Sequence, residues 1–282
     1  MMRVGIIGGY GKMGQWLCAN LPDCELAIYG RDSKKTFNCA RKLCVKGVDG
    51  IEELLDFADM IVVSVPLQYN AVMLEKIRYL VPPGKMICDI ASLKSESVRI
   101  LSTYPEHVSV SSVHPMFGPG SPGFEGKKVV IVPVEKREKD SDFFYTFFKK
   151  RGASVMVSDA VTHDRMMALT LSLPHFCGYL FSSLIAHHPL ESVHQFEGTS
   201  FKYLLTFSEA VLQEDPQFYF ELMQNPQFNL VLDDIFEKSK ILRTIITSGD
   251  RSRFLQLVTE IRKALEGEDL SKAYTLFCKL TQ

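Results

Sequence analysis

The sequence predicts an α/β domain with a doubly wound, mostly parallel sheet over residues 1–157, followed by an all-α domain over residues 158–282. Three observations lead to this prediction. Short apolar runs alternate with helical segments in the first half, a glycine-rich turn follows the first run, and strand-like runs stop near residue 159. Strands that alternate with crossover helices are typical of parallel sheets with helices on both faces.

The strands of the first domain are short apolar runs, and the helices between them repeat apolar residues every three or four positions. We expect strands at 3–9, 24–30, 60–66, 86–92, 108–114, 127–134 and 153–159. Helices are expected between several of them, at 12–21, 51–59 and 70–80.

The second domain consists of long segments with an apolar period of 3.6 residues. It is more apolar than a helical bundle of this length needs for its own core. We therefore expect its helices to pack against a second subunit as well, which makes this an all-helical dimerisation domain and the protein a homodimer.

The overall composition is that of an ordinary soluble protein, with 46% hydrophobic residues and a formal net charge of -1. This balance gives no electrostatic reason to expect nucleic acid or an anionic membrane as a partner. No apolar run is expected to reach transmembrane length, and the N-terminus enters a strand pattern at once, without the apolar region and cleavage site of a signal peptide. Seven scattered cysteines without a CxxC pair favour free thiols in the cytoplasm over disulfides or a metal site.

The glycine-rich turn reads GGYGKMG over residues 8–14 and contains the spacing Gly9-x-Gly11-x-x-Gly14. Between a strand and a helix, such a turn lets the backbone approach a pyrophosphate, which then faces the helix N-terminus. The context favours a Rossmann-type dinucleotide site over a glycine turn without a ligand. The predicted cofactor contacts are Gly9, Tyr10, Gly11, Lys12, Met13 and Gly14, with Ser64, Val65 and Pro66 at a neighbouring strand end.

The end of the second strand bears on the choice of cofactor. Gly30 falls near the position where NAD-binding proteins carry an acidic residue for the ribose, and Arg31 follows it. A guanidinium pairs well with a 2′-phosphate, and Lys34 or Lys35 adds positive charge. The pattern favours NADP; the alternative is NAD, with Asp32 as the ribose ligand.

Polar side chains at two further strand ends predict the chemistry. Ser92 and Lys94 follow the strand at 86–92, and His114 ends the strand at 108–114. Ligands bind at this edge of open α/β sheets. An imidazole is suited to accept a hydroxyl proton, Ser92 could hold its second nitrogen, and Lys94 offers a cation to a carboxylate. Pro115 favours extended backbone at His114. Alone, a histidine before proline is more often structural, but a cofactor motif and two polar strand ends at the same edge favour a catalytic role.

The order of five motifs resembles the prephenate/arogenate dehydrogenase family of tyrosine biosynthesis. The motifs are GGYGKMG, DIASLK, HPMFGPGSPG, THDRMMALTLSLPH and DPQFY, and the resemblance covers nearly the whole chain. It implies a cytoplasmic homodimer, built from a Rossmann domain and a helical domain. It also implies an NAD(P)-dependent oxidoreductase that takes a hydride from ring C4 of prephenate while the ring carboxylate leaves as CO2, giving 4-hydroxyphenylpyruvate.

The resemblance also implies roles for particular residues. His114 matches the histidine that accepts the proton of the ring hydroxyl, and Ser92 and Lys94 match the neighbouring strand-end motif of the catalytic and substrate site. His175 matches a histidine of the substrate pocket. His163 and Asp164 match a pair that we interpret as more structural than catalytic.

One departure from the family pattern concerns the group that binds a substrate carboxylate. Many members carry an arginine on the helix before the DPQFY-like motif, whereas this chain has Lys202 and, near the expected position, Glu209. Lys202 is a less directional substitute. Glu209 is either a solvated residue or a contact for the amino group of arogenate, which would make the enzyme an arogenate dehydrogenase that yields tyrosine directly. Other two-domain dehydrogenases and a non-catalytic NAD(P)-binding regulatory module are further alternatives.

Overall fold

The computed structural model describes residues 1–279. The chain forms two compact units, Met1–Met167 and a second that begins at Ala168. Each is described here by itself. The domain boundary predicted after residue 157 stays a prediction; residue 157 is the last residue of the last strand.

The first unit contains one sheet of eight strands in the order β3-β2-β1-β4-β5-β6-β7-β8. Neighbouring strands are parallel except for the antiparallel pair β6 and β7. The doubly wound, mostly parallel sheet that the sequence predicts is confirmed. The strands are β1 (Met2–Ile7), β2 (Cys24–Tyr29), β3 (Lys46–Gly47), β4 (Met60–Val63), β5 (Met86–Asp89), β6 (Ser109–Pro115), β7 (Lys128–Val132) and β8 (Ser154–Val157).

Helices cover both faces of this sheet, because its central strands are apolar on both sides. One buried cluster packs around Trp16, Phe144 and Phe148, and the other around Leu54, Leu74 and Ile100. The helices of this unit are α1 (Lys12–Ala19), α2 (Ser33–Leu43), α3 (Ile51–Phe57), α4 (Leu67–Ile77), α5 (Ser95–Leu101), α6 (Ser141–Lys149) and α7 (Ala160–Met167), with a 3-10 turn at Glu138–Asp140.

A loop of residues 116–127 joins the antiparallel strands β6 and β7 and is fixed to α1. The indole Nε1 of Trp16 donates a hydrogen bond to the carbonyl oxygen of Ser121 at 2.6 Å. The Trp16 ring also contacts the rings of Phe117 and Phe124, with centroids 4.9 and 4.7 Å away. The loop that follows His114 is thus held by the same helix that follows the glycine-rich turn.

The second unit is helical, as the sequence predicts. Among the described residues, four of its helices begin after an Asp or Asn whose side chain accepts a hydrogen bond from a backbone N–H of the first turn, namely Asp215, Asn225, Asp250 and Asp269. The helices are α8 (Leu173–Ile185), α9 (Leu190–His194), α10 (Thr199–Gln213), α11 (Pro216–Met223), α12 (Pro226–Thr247), α13 (Arg251–Ala264) and α14 (Leu270–Lys279), and a π-helical turn at Ala168–Ser172 precedes them.

The helical stretch Ala160–Ile185 is long and apolar enough to cross a membrane by length and composition. The expectation that no apolar run reaches transmembrane length is therefore wrong for this stretch, which contains a window of 18 residues with at most two charged side chains. Core helices of soluble proteins meet the same criterion. Large apolar side chains of the second unit are also exposed, including Leu184, Phe220, Leu230, Phe236 and Ile246.

Candidate active site

The turn after β1 brings the backbone of the glycine-rich segment against β4. Gly8 has a φ of +86°, and a Cβ there would overlap the carbonyl oxygen of Ser64. A Cβ on Gly14 would lie 2.5 Å from the carbonyl oxygen of Gly8. Only glycine fits both positions without displacing the backbone. The sequence alone did not single out Gly8, whose left-handed conformation forms the turn.

The N-terminus of α1 is open to an anion. Gly11 precedes the helix and has no side chain to cap it, so the first N–H groups of α1 receive no side-chain hydrogen bond from that position. Uncapped N–H groups at a helix N-terminus attract phosphate. The predicted contacts Tyr10, Lys12 and Met13 lie on this same turn and first helical residues.

The predicted contacts at the end of β4 lie beside the glycine-rich turn. The backbone N–H of Ser64 donates to the carbonyl oxygen of Ile7 at 2.8 Å. The side chain of Val65 lies 3.2 Å from the Cβ position of Gly8, and Pro66 directly precedes α4. The structure thus brings Ser64, Val65 and Pro66 together with the turn, as expected for adjacent parallel strands.

The end of β2 has no room for the acidic residue of an NAD site at position 30. A Cβ on Gly30 would overlap the ring of Tyr10. The next residue, Arg31, places its guanidinium carbon 4.7 Å from the centroid of the Tyr69 ring. Asp32 caps α2, because its Oδ1 accepts the backbone N–H of Lys35 at 2.9 Å. One carboxylate oxygen of Asp32 therefore already has a structural role.

His114 is the outermost member of a chain of three side chains. It is 5% exposed, and its Nδ1 lies 2.9 Å from Nε2 of His163. Nδ1 of His163 in turn lies 2.9 Å from Oδ1 of Asp164. This chain of three side chains is called the Asp164–His163–His114 relay below. His114 lies near the end of β6, whereas His163 and Asp164 lie on α7, so the relay joins two elements of the first unit. The pair that we interpreted as more structural is bonded directly to the predicted base.

The relay sets the tautomer of each imidazole. Asp164 also accepts the backbone N–H groups of Lys94 and Ser95 and the Ser95 hydroxyl, at 2.8, 2.9 and 2.6 Å. Burial acts to raise the pKa of Asp164, but these bonds and the one from His163 hold it below its ordinary value. An ionised Asp164 accepts from His163 Nδ1–H, so His163 Nε2 accepts from His114 Nδ1–H.

This assignment leaves Nε2 of His114 with a free lone pair, and no residue of the described chain 1–279 bonds to it. Burial, followed by the charge of Lys94 and the proximity of His163, holds the pKa of His114 well below 6.5. All three effects favour the neutral ring. The arrangement can therefore accept a proton at one defined atom.

The structure places the other two predicted catalytic residues differently from our expectation. Ser92 is half-buried, and His163 instead of Ser92 holds the second nitrogen of His114. Lys94 is fully buried, and its Nζ donates to Asp89 at 3.0 Å and to the carbonyl oxygen of Val113 at 2.8 Å. The Lys94 ammonium is not exposed to a substrate carboxylate because the sheet edge and α5 enclose it.

A buried polar cluster around Asp89 escaped the sequence analysis. The Asp89 carboxylate accepts from the hydroxyls of Ser112 and Ser97, at 2.5 and 3.1 Å, besides the ammonium of Lys94. Asn70 donates to Ser97 at 2.8 Å. The sequence does contain an indication of this cluster, because polar residues interrupt the otherwise apolar runs of β5 and β6.

His175, the predicted substrate residue on α8, belongs to a polar group of the second unit. His175 stacks on Tyr219 with ring centroids 3.7 Å apart, and its Nδ1 lies 2.8 Å from the carbonyl oxygen of Leu171. Its Nε2 lies 3.9 Å from Glu214, which accepts the Tyr219 hydroxyl. Lys202 and Glu209 are exposed on α10. Within residues 1–279, no cluster of three metal-ligating side chains is present.

Comparison with known proteins places both halves of the chain in one family. Residues 22–157 match the model for the prephenate dehydrogenase nucleotide-binding domain, and residues 159–260 match that for the prephenate dehydrogenase dimerization domain. The first match begins after the glycine-rich turn, whose role rests on the geometry above.

Two curated relatives cover nearly the whole chain. A probable arogenate/prephenate dehydrogenase of Methanocaldococcus jannaschii is 26% identical over 97% of this chain and 63% of its own length. The chain therefore spans less than two thirds of that relative. A cyclohexadienyl dehydrogenase of Zymomonas mobilis is 23% identical over 94% of this chain and 93% of its own length.

Solved structures share the fold. Prephenate dehydrogenase from Aquifex aeolicus superposes with a TM-score of 0.80 at 18% identity, covering 95% of this chain and 100% of the other. Synechocystis arogenate dehydrogenase gives a TM-score of 0.73 at 17% identity, over 94% and 99% of the two chains. With family models that match both halves, the chain belongs to the prephenate dehydrogenase family.

Proposed function

We propose that the protein is an NAD(P)-dependent prephenate dehydrogenase, which converts prephenate to 4-hydroxyphenylpyruvate and CO2 in tyrosine biosynthesis. The observation that carries the proposal is the Asp164–His163–His114 relay, which leaves Nε2 of His114 as a hydrogen-bond acceptor at the carboxyl edge of the sheet. Family membership supports the reaction class.

His114 acts as the general base in this proposal. Its Nε2 accepts the proton of the ring C4 hydroxyl while C4 loses a hydride. The nicotinamide ring, when bound, supplies the hydride acceptor. The electron pair of the bond to the ring carboxylate then enters the ring, CO2 leaves, and the aromatic product takes its phenolic proton back from His114. Aromatisation provides the driving force, so the protein mainly positions the reactants and holds the proton.

The glycine-rich turn and the N-terminus of α1 would hold the cofactor's pyrophosphate. The fit is supported by Gly8 and Gly14, where any side chain would fill the space next to the backbone. We further propose a preference for NADP, because position 30 has no room for an acid, Asp32 caps α2, and Arg31 is free of ion pairs at the same edge. A crystal structure of prephenate dehydrogenase from Aquifex aeolicus is in complex with hydroxyphenyl propionate and NAD+, so NAD is the alternative.

Arogenate is the second candidate substrate. Helix α10 contains no arginine, and the acidic Glu214 lies 3.9 Å from Nε2 of His175, the histidine that we expect at the substrate pocket. A carboxylate in this place would favour an amino group over a second carboxylate. Lys202 and Glu209 remain the other candidates for side-chain recognition.

We also propose that the protein works in the cytoplasm as a homodimer formed through its helical unit. The match to the family's dimerization domain and the exposed apolar side chains of that unit support this assembly. Light scattering of the purified protein tests it, with a monomer at micromolar concentration as the contradicting result.

The function is tested by giving the purified protein prephenate or arogenate, each with NAD+ or NADP+, and following the reduced cofactor at 340 nm. We expect turnover with prephenate and the higher kcat/KM with NADP+. Turnover with arogenate alone would establish the second candidate. Failure of all four combinations, with cofactor binding intact by calorimetry, would leave a regulatory NAD(P)-binding module.

A further inference from the structure

The first unit contains an ion pair that the proposed reaction does not use. The side chains of Lys94 and Asp89 are both 0% exposed, and Nζ of Lys94 lies 3.0 Å from Oδ2 of Asp89. Removing two charges from water costs several kcal/mol per ion, so such a pair persists only with further hydrogen bonds. Asp89 has these from Ser112, Ser97 and the backbone N–H of Ala91.

Lys94 is bonded to Asp164 and to the residue that precedes His114. Its ammonium donates to the carbonyl oxygen of Val113, the residue before His114, at 2.8 Å. Its backbone N–H donates to Oδ1 of Asp164 at 2.8 Å. One residue is thus bonded to the strand that carries the base and to the carboxylate that ends the chain of three side chains.

We propose that the buried Asp89–Lys94 pair is a positioning device, which fixes the end of β6 so that His114 presents Nε2 to the substrate. Asp89 bonds the ammonium directly through Oδ2, and its Oδ1 accepts the hydroxyl of Ser112, which lies on β6 two residues before His114. The inference rests on the proposed function, and it replaces the expectation that Lys94 binds a substrate carboxylate.

The charge of Lys94 has a second effect on the base. Among charged and titratable groups, Lys94 and then His163 lower the pKa of the His114 ring, because both oppose its protonation. Burial lowers the pKa of Lys94, and Asp89 opposes this effect. Lys94 lowers the pKa of His114 and Asp89 is not among the groups that shift it, so replacing the pair removes a repulsion and the ring is expected to bind a proton more readily.

The test compares the double variant D89N/K94M with the wild type. The double change removes both charges together, because removing one alone leaves an uncompensated buried charge. The control is R3M/D59N, which removes an ion pair of 2.7 Å between side chains that are 44% and 37% exposed on the same sheet. S112A, which removes one bond to Asp89, serves as a milder variant should the double variant not fold.

We expect kcat to fall at least about tenfold in D89N/K94M while KM changes less than about threefold, since a positioning residue does not touch the substrate. The acid limb of the pH–rate profile should move to higher pH, with smaller shifts in S112A and none in the control. A large rise in KM with unchanged kcat would overturn the proposal in favour of direct substrate binding.

A readout without turnover separates this inference from the proposed function. Proton NMR of protein labelled at the histidine rings follows the titration of His114, which H114N assigns among the seven histidines. We expect His114 to titrate at higher pH in D89N/K94M than in the wild type. An unchanged titration would refute the positioning device even in an active enzyme, and a shifted one would support it even if neither substrate is turned over.

Discussion

The Nδ1 atom of His114 lies 2.9 Å from Nε2 of His163, on an element that follows 49 residues later in the chain. His163 in turn faces Asp164, whose carboxylate accepts three further N–H and O–H groups from Lys94 and Ser95. The carboxylate therefore fixes where the ring protons lie. Each of the two imidazoles carries its proton on Nδ1, which donates toward Asp164. The outermost nitrogen can only accept.

Replacing His114 with Asn should lower kcat by about 10²- to 10⁴-fold, because the base supplies a rate enhancement of that order. The variant removes the acceptor and retains a polar side chain of smaller size. Circular dichroism and the KM for the cofactor should stay close to the wild type. A robust rate in H114N would refute the assignment of the base.

Replacing His163 with Asn should lower kcat by about tenfold to a hundredfold, since the base remains but loses the partner that fixes its tautomer. The KM for the substrate should change little. The matched control is H107N, because His107 is exposed and lies outside the relay. Equal kcat values for H163N and the wild type would show that His163 only packs against His114.

The stability of the protein should fall as the pH decreases below about 6.5. The folded state holds the pKa of His114 well below 6.5, whereas the unfolded chain binds a proton there near pH 6.5. Between the two values the unfolded state carries more protons, so the free energy of unfolding decreases by up to about 1.4 kcal/mol per pH unit.

Urea unfolding at pH 7, 6 and 5 measures this dependence. Asp164 adds nothing in that range, because its pKa is lowered in the folded state from a value near 3.8 and its contribution is lost only at more acidic pH. H114N should therefore show a flatter profile between pH 7 and 5. Identical slopes for both proteins would exclude a depressed pKa at His114.

Replacing Arg31 with Ala should raise the KM for NADP+ by about tenfold and leave that for NAD+ within about twofold, because only NADP+ carries the 2′-phosphate. K42A is the control, since Lys42 lies on the last turn of α2, whereas Arg31 precedes the first turn of that helix. Equal effects of R31A on both cofactors would contradict the NADP preference.

Replacing Gly14 with Ala should abolish cofactor binding measured by calorimetry and destabilise the fold, because the added Cβ would lie 2.5 Å from the carbonyl oxygen of Gly8. G120A is the matched control, since no atom lies within 4 Å of a Cβ at Gly120. Wild-type affinity in G14A would mean that the turn does not hold the pyrophosphate.

Local patterns were sufficient to predict most of the sheet. Apolar runs with turn residues at their ends located the strands that pair in it, because burial on both faces requires a continuous apolar sequence. The strand β3 escaped because it has only two residues. The all-helical second half followed from its period alone.

The site was harder to predict because its contacts join distant residues. His114 could be proposed from its place at a strand end, but its partner lies on α7, and no periodicity links the two. Lys94 was expected to offer a cation to a substrate carboxylate. It is instead fully buried, which a lysine tolerates only when it is paired, and its partner Asp89 lies in the same motif, DIASLK.

The hydrogen bond between Trp16 and Ser121 has a consequence for how substrate and cofactor are captured. A loop held in its middle loses its conformational entropy when the chain folds, so little remains to be lost on association. A ligand that contacts this loop should then bind a preorganised site, with a small loss of conformational entropy and fast association. Without the indole contact, the loop would lose part of this conformational entropy when a ligand binds instead of when the chain folds.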